Sequence, residues 1–451
     1  MLVRPNCPLL NMPNMHRRTV RHILAALGVS LGVSLGFSLA LPAAVAAQGR
    51  PLPTDDPSVK KGMDNIKSWN AWILEQQVGL CEIPAPPFKE TARGLEFRKR
   101  IAALGYPQAK IDSIGNVIVE RPGTGNGPTV MIAGHLDTVF PEGTDVKVKK
   151  TGDRYDAPGI GDDCRGLAVV LSVAKALNEG AIKTTGKVIL VANVGEEGPG
   201  DLRGVRYMFG GAYKGKVDYF ISVDGLGIHV TDRAVGSKRY SVKFTGPGGH
   251  SYGAFGMPSA IHAMGRAIAN ISDLQVPSGA KTTFNVGIVK GGTSVNTISP
   301  DGTMDVDMRS ESVTNLDEMD KRIQDAIAKG LAAENARWPN SKAKIAVKYD
   351  TIGIRPVGKV PQTEATPIVA TALAAGKALG QTKVETGASS TDSNIPMSLG
   401  IQAITIGGGG SGGGAHAITE WYQDGPEGYK GPQWALLLVA ALAGMPKSIT
   451  P

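Results

Sequence analysis

TVMIAGHLDTV, residues 129–139, decides how this chain is read, because a short apolar run passes directly into Gly134, His135, Leu136 and Asp137. A run of that length bounded by glycine suits a strand buried on both faces, the habit of parallel sheets. The runs KVILVANV at 187–194, DYFISV at 218–223 and QAITI at 402–406 have the same form. Polar residues follow each one: Glu196 and Glu197, then Asp224, then His416 beyond a glycine-rich loop. A helical pattern over Gly166–Leu177 supplies a crossover between the first two runs, which predicts an α/β catalytic domain with a mixed, mostly parallel sheet. In such a sheet the carboxyl ends of the strands line the ligand crevice, so these polar residues are expected to converge.

Outward from that core the pattern changes. Strand-like and helix-like segments follow in the order Tyr240–Gly246, Ser259–Leu274, Thr283–Val289, Thr303–Arg309, Asn315–Trp338 and Lys344–Tyr349, which is β-α-β-β-α-β. Met304, Val306 and Met308 alternate with Asp305 and Asp307 as on a half-buried strand, and Met319, Ile323, Ile327 and Leu331 recur as on one helix face. An inserted ferredoxin-like α+β domain is therefore expected at residues 236–352, between catalytic segments at 58–235 and 353–451. At 451 residues the chain has room for both, and a paired edge or covered face of the insert would suit a dimer.

The beginning of the chain has the parts of an export signal: Arg17, Arg18 and Arg21, an apolar run from Ile23 to about Leu41, and Ala44-Val45-Ala46. Cleavage after Ala46 is expected, giving a periplasmic or secreted protein with no stable membrane anchor; an uncleaved anchor is the alternative reading, and Met15 is an alternative start. Arg4 and those three arginines are the only charged residues of the leader, so removing them lowers the formal charge from +8 to +4. That balance, with no basic stripe or interleaved aromatics, excludes a nucleic-acid partner. Only Cys81 and Cys164 remain after the leader, too few for a disulfide framework, and the sequence does not say whether they pair.

A pair of metal ions needs several hard or borderline donors with a carboxylate able to bridge them. The available donors are His135 and Asp137 in GHLDTV, Asp162 and Asp163 in GIGDDCRG, Glu196 and Glu197 in GEEG, Asp224 in SVDG, and His416 in GGAHAITEWY. Each fragment has a plainer reading: a hydrogen-bonded loop pair, a helix N-cap at Asp162-Asp163, an exposed turn, a hairpin at Asp224-Gly225. The loop Gly407–Gly414 reads either as a close backbone approach that delivers His416 or as a flexible linker. The conjunction, each fragment at a strand end, points to a metal centre.

The series GHLDTV, APGIGDDCRGLA, GEEG, SVDG, GPGGHS, GGTSVNTIS, STDSN and AHAITEWY resembles the dizinc metallopeptidase family of glutamate carboxypeptidase, peptidase T, acetylornithine deacetylase and succinyl-diaminopimelate desuccinylase. The likeness spans roughly residues 60–445. It implies two Zn²⁺ per subunit, with Co²⁺ or Mn²⁺ as substitutes, held by His135, Asp162, Glu197, Asp224 and His416, with Asp162 bridging. It implies Glu196 as general base and Asp137 as the residue that orients the His135 imidazole. His250 resembles a histidine that reaches across a homodimer to polarise the scissile carbonyl, and Asn296 and Arg309 resemble positions that hold a substrate carboxylate. Cys164 and Arg165 depart from the family pattern, which has Lys and Gly there. The implied substrate is a small peptide or N-acyl amino acid; the competing reading is an inactive metal-dependent binding protein, against which Glu196 speaks. His229 and His262 receive no role.

Overall fold

The computed structural model describes residues 49–446, so the expected leader at 1–46 lies outside the described residues. The main sheet has eight strands in the order Lys110–Ile111, Val117–Arg121, Gly186–Asn193, Gly127–His135, Tyr219–Val223, Gln402–Ile406, His229–Ala234 and Glu385–Ser389. Gly186–Asn193, Gly127–His135, Tyr219–Val223 and Gln402–Ile406 run parallel to their neighbours in this central group. Strand alternation divides each run between two cores. Val130 and Ile132 join Val188, Leu190, Ile221 and Ile404 under the helices Cys164–Glu179 and Lys430–Ala443, while Met131 and Ala133 meet Val205, Met208 and Phe209 of Arg203–Gly210 on the other face.

The segments outside the four apolar runs were not foreseen as strands of this sheet. Val117–Arg121 pairs antiparallel with Gly186–Asn193, and His229–Ala234 pairs antiparallel with Gln402–Ile406. A second four-stranded sheet, in the order Ser411–Gly413, Trp421–Gln423, Arg154–Asp156 and Lys149–Thr151, was also not foreseen. Its strands are three residues long and come from chain segments some 250 residues apart, so no local periodicity marks them.

The middle of the chain forms the expected β-α-β-β-α-β unit: Gly236–Thr245, Ala260–Ser272, Thr282–Gly291, Asp301–Ser310, Val313–Arg337 and Ala346–Arg355. Its sheet is antiparallel in the order Thr282–Gly291, Asp301–Ser310, Gly236–Thr245, Ala346–Arg355. That is the ferredoxin-like arrangement. Val242, Phe244, Met304, Val306 and Met308 pack on the helices, burying Met319, Ile323 and Ile327 against them. Arg239, Asp307 and Arg309 alternate with those residues and so stand on the helix-free face. The last strand continues to Arg355, past the Lys344–Tyr349 expected; a register shift between Thr351 and Gly353 interrupts the alternation of its outer half, where Ile352 and Ile354 are exposed. Among the described residues no helix is long and apolar enough to cross a membrane.

Candidate metal centre

The carboxyl ends of the central strands bring the sequence-derived donors together. His135 is the last residue of its strand, Asp224 follows Val223, Glu196 and Glu197 follow Asn193 after a short turn, and Asp162 precedes the helix Cys164–Glu179. His135 Nε2 lies 3.0 Å from Asp162 Oδ1, while His416 Nε2 lies 3.1 Å from Asp162 Oδ2 and 3.0 Å from Glu197 Oε1. Each oxygen of Asp162 therefore faces a different imidazole. Donor atoms converge in three groups: His135 with Asp162 and Asp224; Asp162 with Glu197 and His416; and His135 with Glu196 and Glu197.

The shell behind these donors is built largely from main chain. Asp137 accepts the backbone N–H groups of Glu196 at 3.0 Å and Glu197 at 2.9 Å, and its carbonyl oxygen stands 3.0 Å from His135 Nδ1, with its carboxylate 3.6 Å away. One residue thus turns the outer imidazole nitrogen away from the centre and fixes the Glu196-Glu197 turn. Asp163 caps the following helix through Gly166 N and also accepts His135 N, so the helix-cap reading of this dipeptide falls on Asp163 and leaves Asp162 to the centre.

Glu420, which sequence reasoning passed over, accepts the N–H groups of Gly159, Gly161 and Asp162 at 2.8–2.9 Å and ties the His416 loop to the Asp162 loop. Arg165 is fully buried, donates to Gly408 O and Gly428 O, and lies over the Tyr422 ring. Its departure from the family pattern therefore anchors the glycine loop rather than distorting the metal loop. That loop is closely packed: a Cβ on Gly407 would stand 2.5 Å from the carbonyl oxygens of Leu226 and Gly227. The flexible-linker reading fails for this reason. His416 itself is left-handed, with φ of 65°. Cys81 and Cys164 are both buried and free, and Cys164 belongs to none of the three donor groups.

A cavity of about 600 Å³ opens over the donors, and the helix-free face of the inserted sheet forms its far wall. Arg239 and Arg309 each donate to one oxygen of Asp307, at 2.8 and 2.9 Å, which leaves their outer nitrogens toward this space. Arg355 crosses to the catalytic side, where Nη1 donates to Glu196 Oε1 at 3.0 Å and Nη2 to Glu196 O. Arg239 and Arg355 escaped the sequence reading: on a strand they look like ordinary solvent-facing positions. His250 and Asn296 do not line this cavity in the single chain. They sit beside each other on a short exposed ribbon, where Gly249–His250 pairs with Thr297–Ile298 and Ser251 N donates to Asn296 O.

The donor set suits cations. His135 Nε2 and Asp162 Oδ1 are buried and stand 3.0 Å apart without the alignment of a hydrogen bond, and neither has another partner. Burial, with the charge of Asp162 added, pushes Asp224 up to about 7, and the contacts with Asp162 and Glu197 raise His416 to about 10. Both shifts mark a cluster short of positive charge. Two imidazoles with three carboxylates form a mixed nitrogen and oxygen donor set able to hold divalent cations.

Residues 131–431 match the sequence profile of Peptidase family M20/M25/M40. Carboxypeptidase G2 of Pseudomonas sp. (strain RS-16) is 25% identical over 270 residues, which cover 57% of this chain and 62% of that relative. Among solved structures, aminopeptidase PepT from Bacillus cereus ATCC 10987 superposes with a TM-score of 0.66 at 19% identity, covering 82% of this chain and 98% of its own. The di-peptidase Dug1p from Saccharomyces cerevisiae gives 0.67 at 13% identity, covering 86% and 99%. These two likenesses establish a shared fold.

Proposed function

Because this chain belongs to peptidase family M20/M25/M40, we propose that it is an exported, metal-dependent hydrolase that cleaves an amide bond beside a free carboxylate in a small peptide or N-acyl amino acid. The observation that carries the reading is Asp162, whose two oxygens face His135 and His416 separately. In this reading His135, Asp162 and Asp224 would hold one cation, and Asp162, Glu197 and His416 the other. Two Zn²⁺ ions there would supply Lewis acidity, polarising the scissile carbonyl and lowering the pKa of water; Co²⁺ or Mn²⁺ would serve the same donors.

The chain's own groups divide the remaining work. Glu196 takes a proton from the attacking water as its oxygen bonds to the carbonyl carbon, and returns it to the nitrogen as the C–N bond breaks. The products are a carboxylate and an amine. Arg355 holds one carboxylate oxygen of Glu196 and, through its main-chain bond, the backbone beneath it. Arg309, held in plane by Asp307, is suited to grip the substrate carboxylate with two parallel hydrogen bonds. His250 and Asn296 act on the cavity of a second copy, so a homodimer joined through the inserted domain belongs to the proposal. A binding protein without turnover is the poorer reading, since such a protein has no use for Glu196 on the cavity wall.

The test is hydrolysis of dipeptides, tripeptides and N-acyl amino acids by the mature chain with and without Zn²⁺, beside Glu196→Ala. Metal-dependent turnover lost in the variant supports the reading; zinc binding with no turnover on any substrate overturns it. Mixing Glu196→Ala chains with His250→Ala chains tests the dimer, because mixed dimers regain one intact site. No recovery on mixing would refute the exchange of His250.

A further inference from the structure

The 600 Å³ cavity is not the only space that reaches the donors. A second, of about 350 Å³, meets it at Asp162, Asp224, Ser389 and Thr391 and extends the other way, past Leu226, His229, Thr231 and Trp421. A substrate whose amide lies over Asp162 and Asp224 therefore has one half in each space. The two walls differ in charge. The first carries Arg239, Arg309 and Arg355.

On the second wall every ionisable group is already engaged. Asp162 and Asp224 belong to the ligand set proposed above, and the Glu420 carboxylate is taken by backbone N–H groups. His229 is held on its neutral side by burial. The hydroxyls of Thr391 and Thr405 bond each other at 2.6 Å, and Thr405 also meets Ser393 Oγ at 2.8 Å. What remains to meet a ligand is uncharged: the Leu226 side chain, the Trp421 indole, the His229 imidazole, the Thr231 and Ser389 hydroxyls, Ala415 and glycine backbone. A charge placed against that wall would give up hydration without gaining a free counter-charge.

Resting on the hydrolase reading and on a carboxylate gripped by Arg309, we propose that the smaller cavity receives the acyl half of the substrate and selects an uncharged, largely apolar acyl group. The enzyme is then a hydrolase of N-acyl amino acids, and of peptides whose acyl-side residue is neutral and N-blocked. A free α-ammonium at that position finds no counter-charge on the wall. The volume sets an upper size, since it lies near the lower end of the range that small-molecule pockets span.

Three acyl series on a common pool of L-amino acids test this, with released amino acid as the readout: N-hexanoyl, N-(6-aminohexanoyl) and N-glutaryl. The first should exceed each of the others in kcat/KM by on the order of 100-fold. Thr231→Asp puts a carboxylate on the wall and should bring the 6-aminohexanoyl series to within about tenfold of the hexanoyl series while leaving the glutaryl series slow. Comparable rates for all three series in the unaltered enzyme overturn the cavity assignment and leave the hydrolase reading standing. Absence of turnover on every series and every peptide overturns both. The comparison within the unaltered enzyme decides the matter even where the variant does not fold.

Discussion

The ligand edge of the main sheet and the helix-free face of the inserted sheet look at each other across one cavity, yet they hold their functional side chains by different means. On the ligand edge, Asp137, Asp163 and Glu420 are all but fully buried and spend their oxygens on backbone N–H groups. On the inserted sheet, Arg239, Asp307 and Arg309 form ion pairs with side chains 20–42% exposed. Main-chain anchoring in a dry setting fixes position; partly solvated ion pairs supply charge at modest energy and remain sensitive to salt. Damage to the first region should therefore abolish chemistry, and damage to the second should mainly weaken binding.

Asp162→Asn should break the first region most completely, with both cations and essentially all turnover lost while the fold persists. Metal content by mass spectrometry beside the rate checks it; two cations retained at full activity would remove Asp162 from the bridging position. Asp137→Ala should come next, weakening zinc binding about 10- to 100-fold, read by competition with a chelator. If affinity stays unchanged, the shell behind His135 and the Glu196-Glu197 turn is ornamental.

On the other side, Arg309→Ala should raise KM about tenfold and leave kcat within about twofold, and Arg309→Lys should not restore it, because a point charge cannot replace the planar fork. A fall in kcat with constant KM would move Arg309 from binding to chemistry. The smallest effect is that of salt: between about 0.05 and 0.5 M ionic strength KM should rise a few-fold with kcat steady, because screening reaches the partly exposed arginines before the buried Asp137, Asp163 and Glu420 that hold the donors in place. A kcat that falls with salt instead would erase the contrast between the two regions.

The donors were legible because each follows a strand whose apolar run announces itself, and strand ends in an α/β sheet point to one crevice. The inserted unit was legible for a similar reason, two periodicities following each other in the order β-α-β-β-α-β. Between Asp162 and Asp163 the residues alone offer no choice, and only the family resemblance favours Asp162; Asp163 is engaged as a helix cap. Glu420 was not legible: its partners lie about 260 residues away, and no spacing rule links a carboxylate to N–H groups at that distance. Arg165 and Arg355 are of the same kind, charges whose burial is decided by distant backbone rather than by neighbours in sequence. Of the three sites read on the insert, only Arg309 lines the cavity within one chain. The short strands around Arg154–Asp156 and Trp421–Gln423 carry too few residues for any pattern to register.

Gln402–Ile406 lies in the middle of the main sheet, between Tyr219–Val223 and His229–Ala234, although it is among the last strands to be synthesised. A nascent chain that has emerged only as far as residue 400 has every strand of the inserted unit but a gap in its principal sheet, with two unpaired edges facing each other across it. Such edges are sticky. The same late segment brings His416, so the metal site cannot close on a partial chain. Residues 402–416 therefore act as a latch on both the sheet and the donor cluster: one late segment fills the gap and supplies the His416 imidazole, so neither is complete until it has been made.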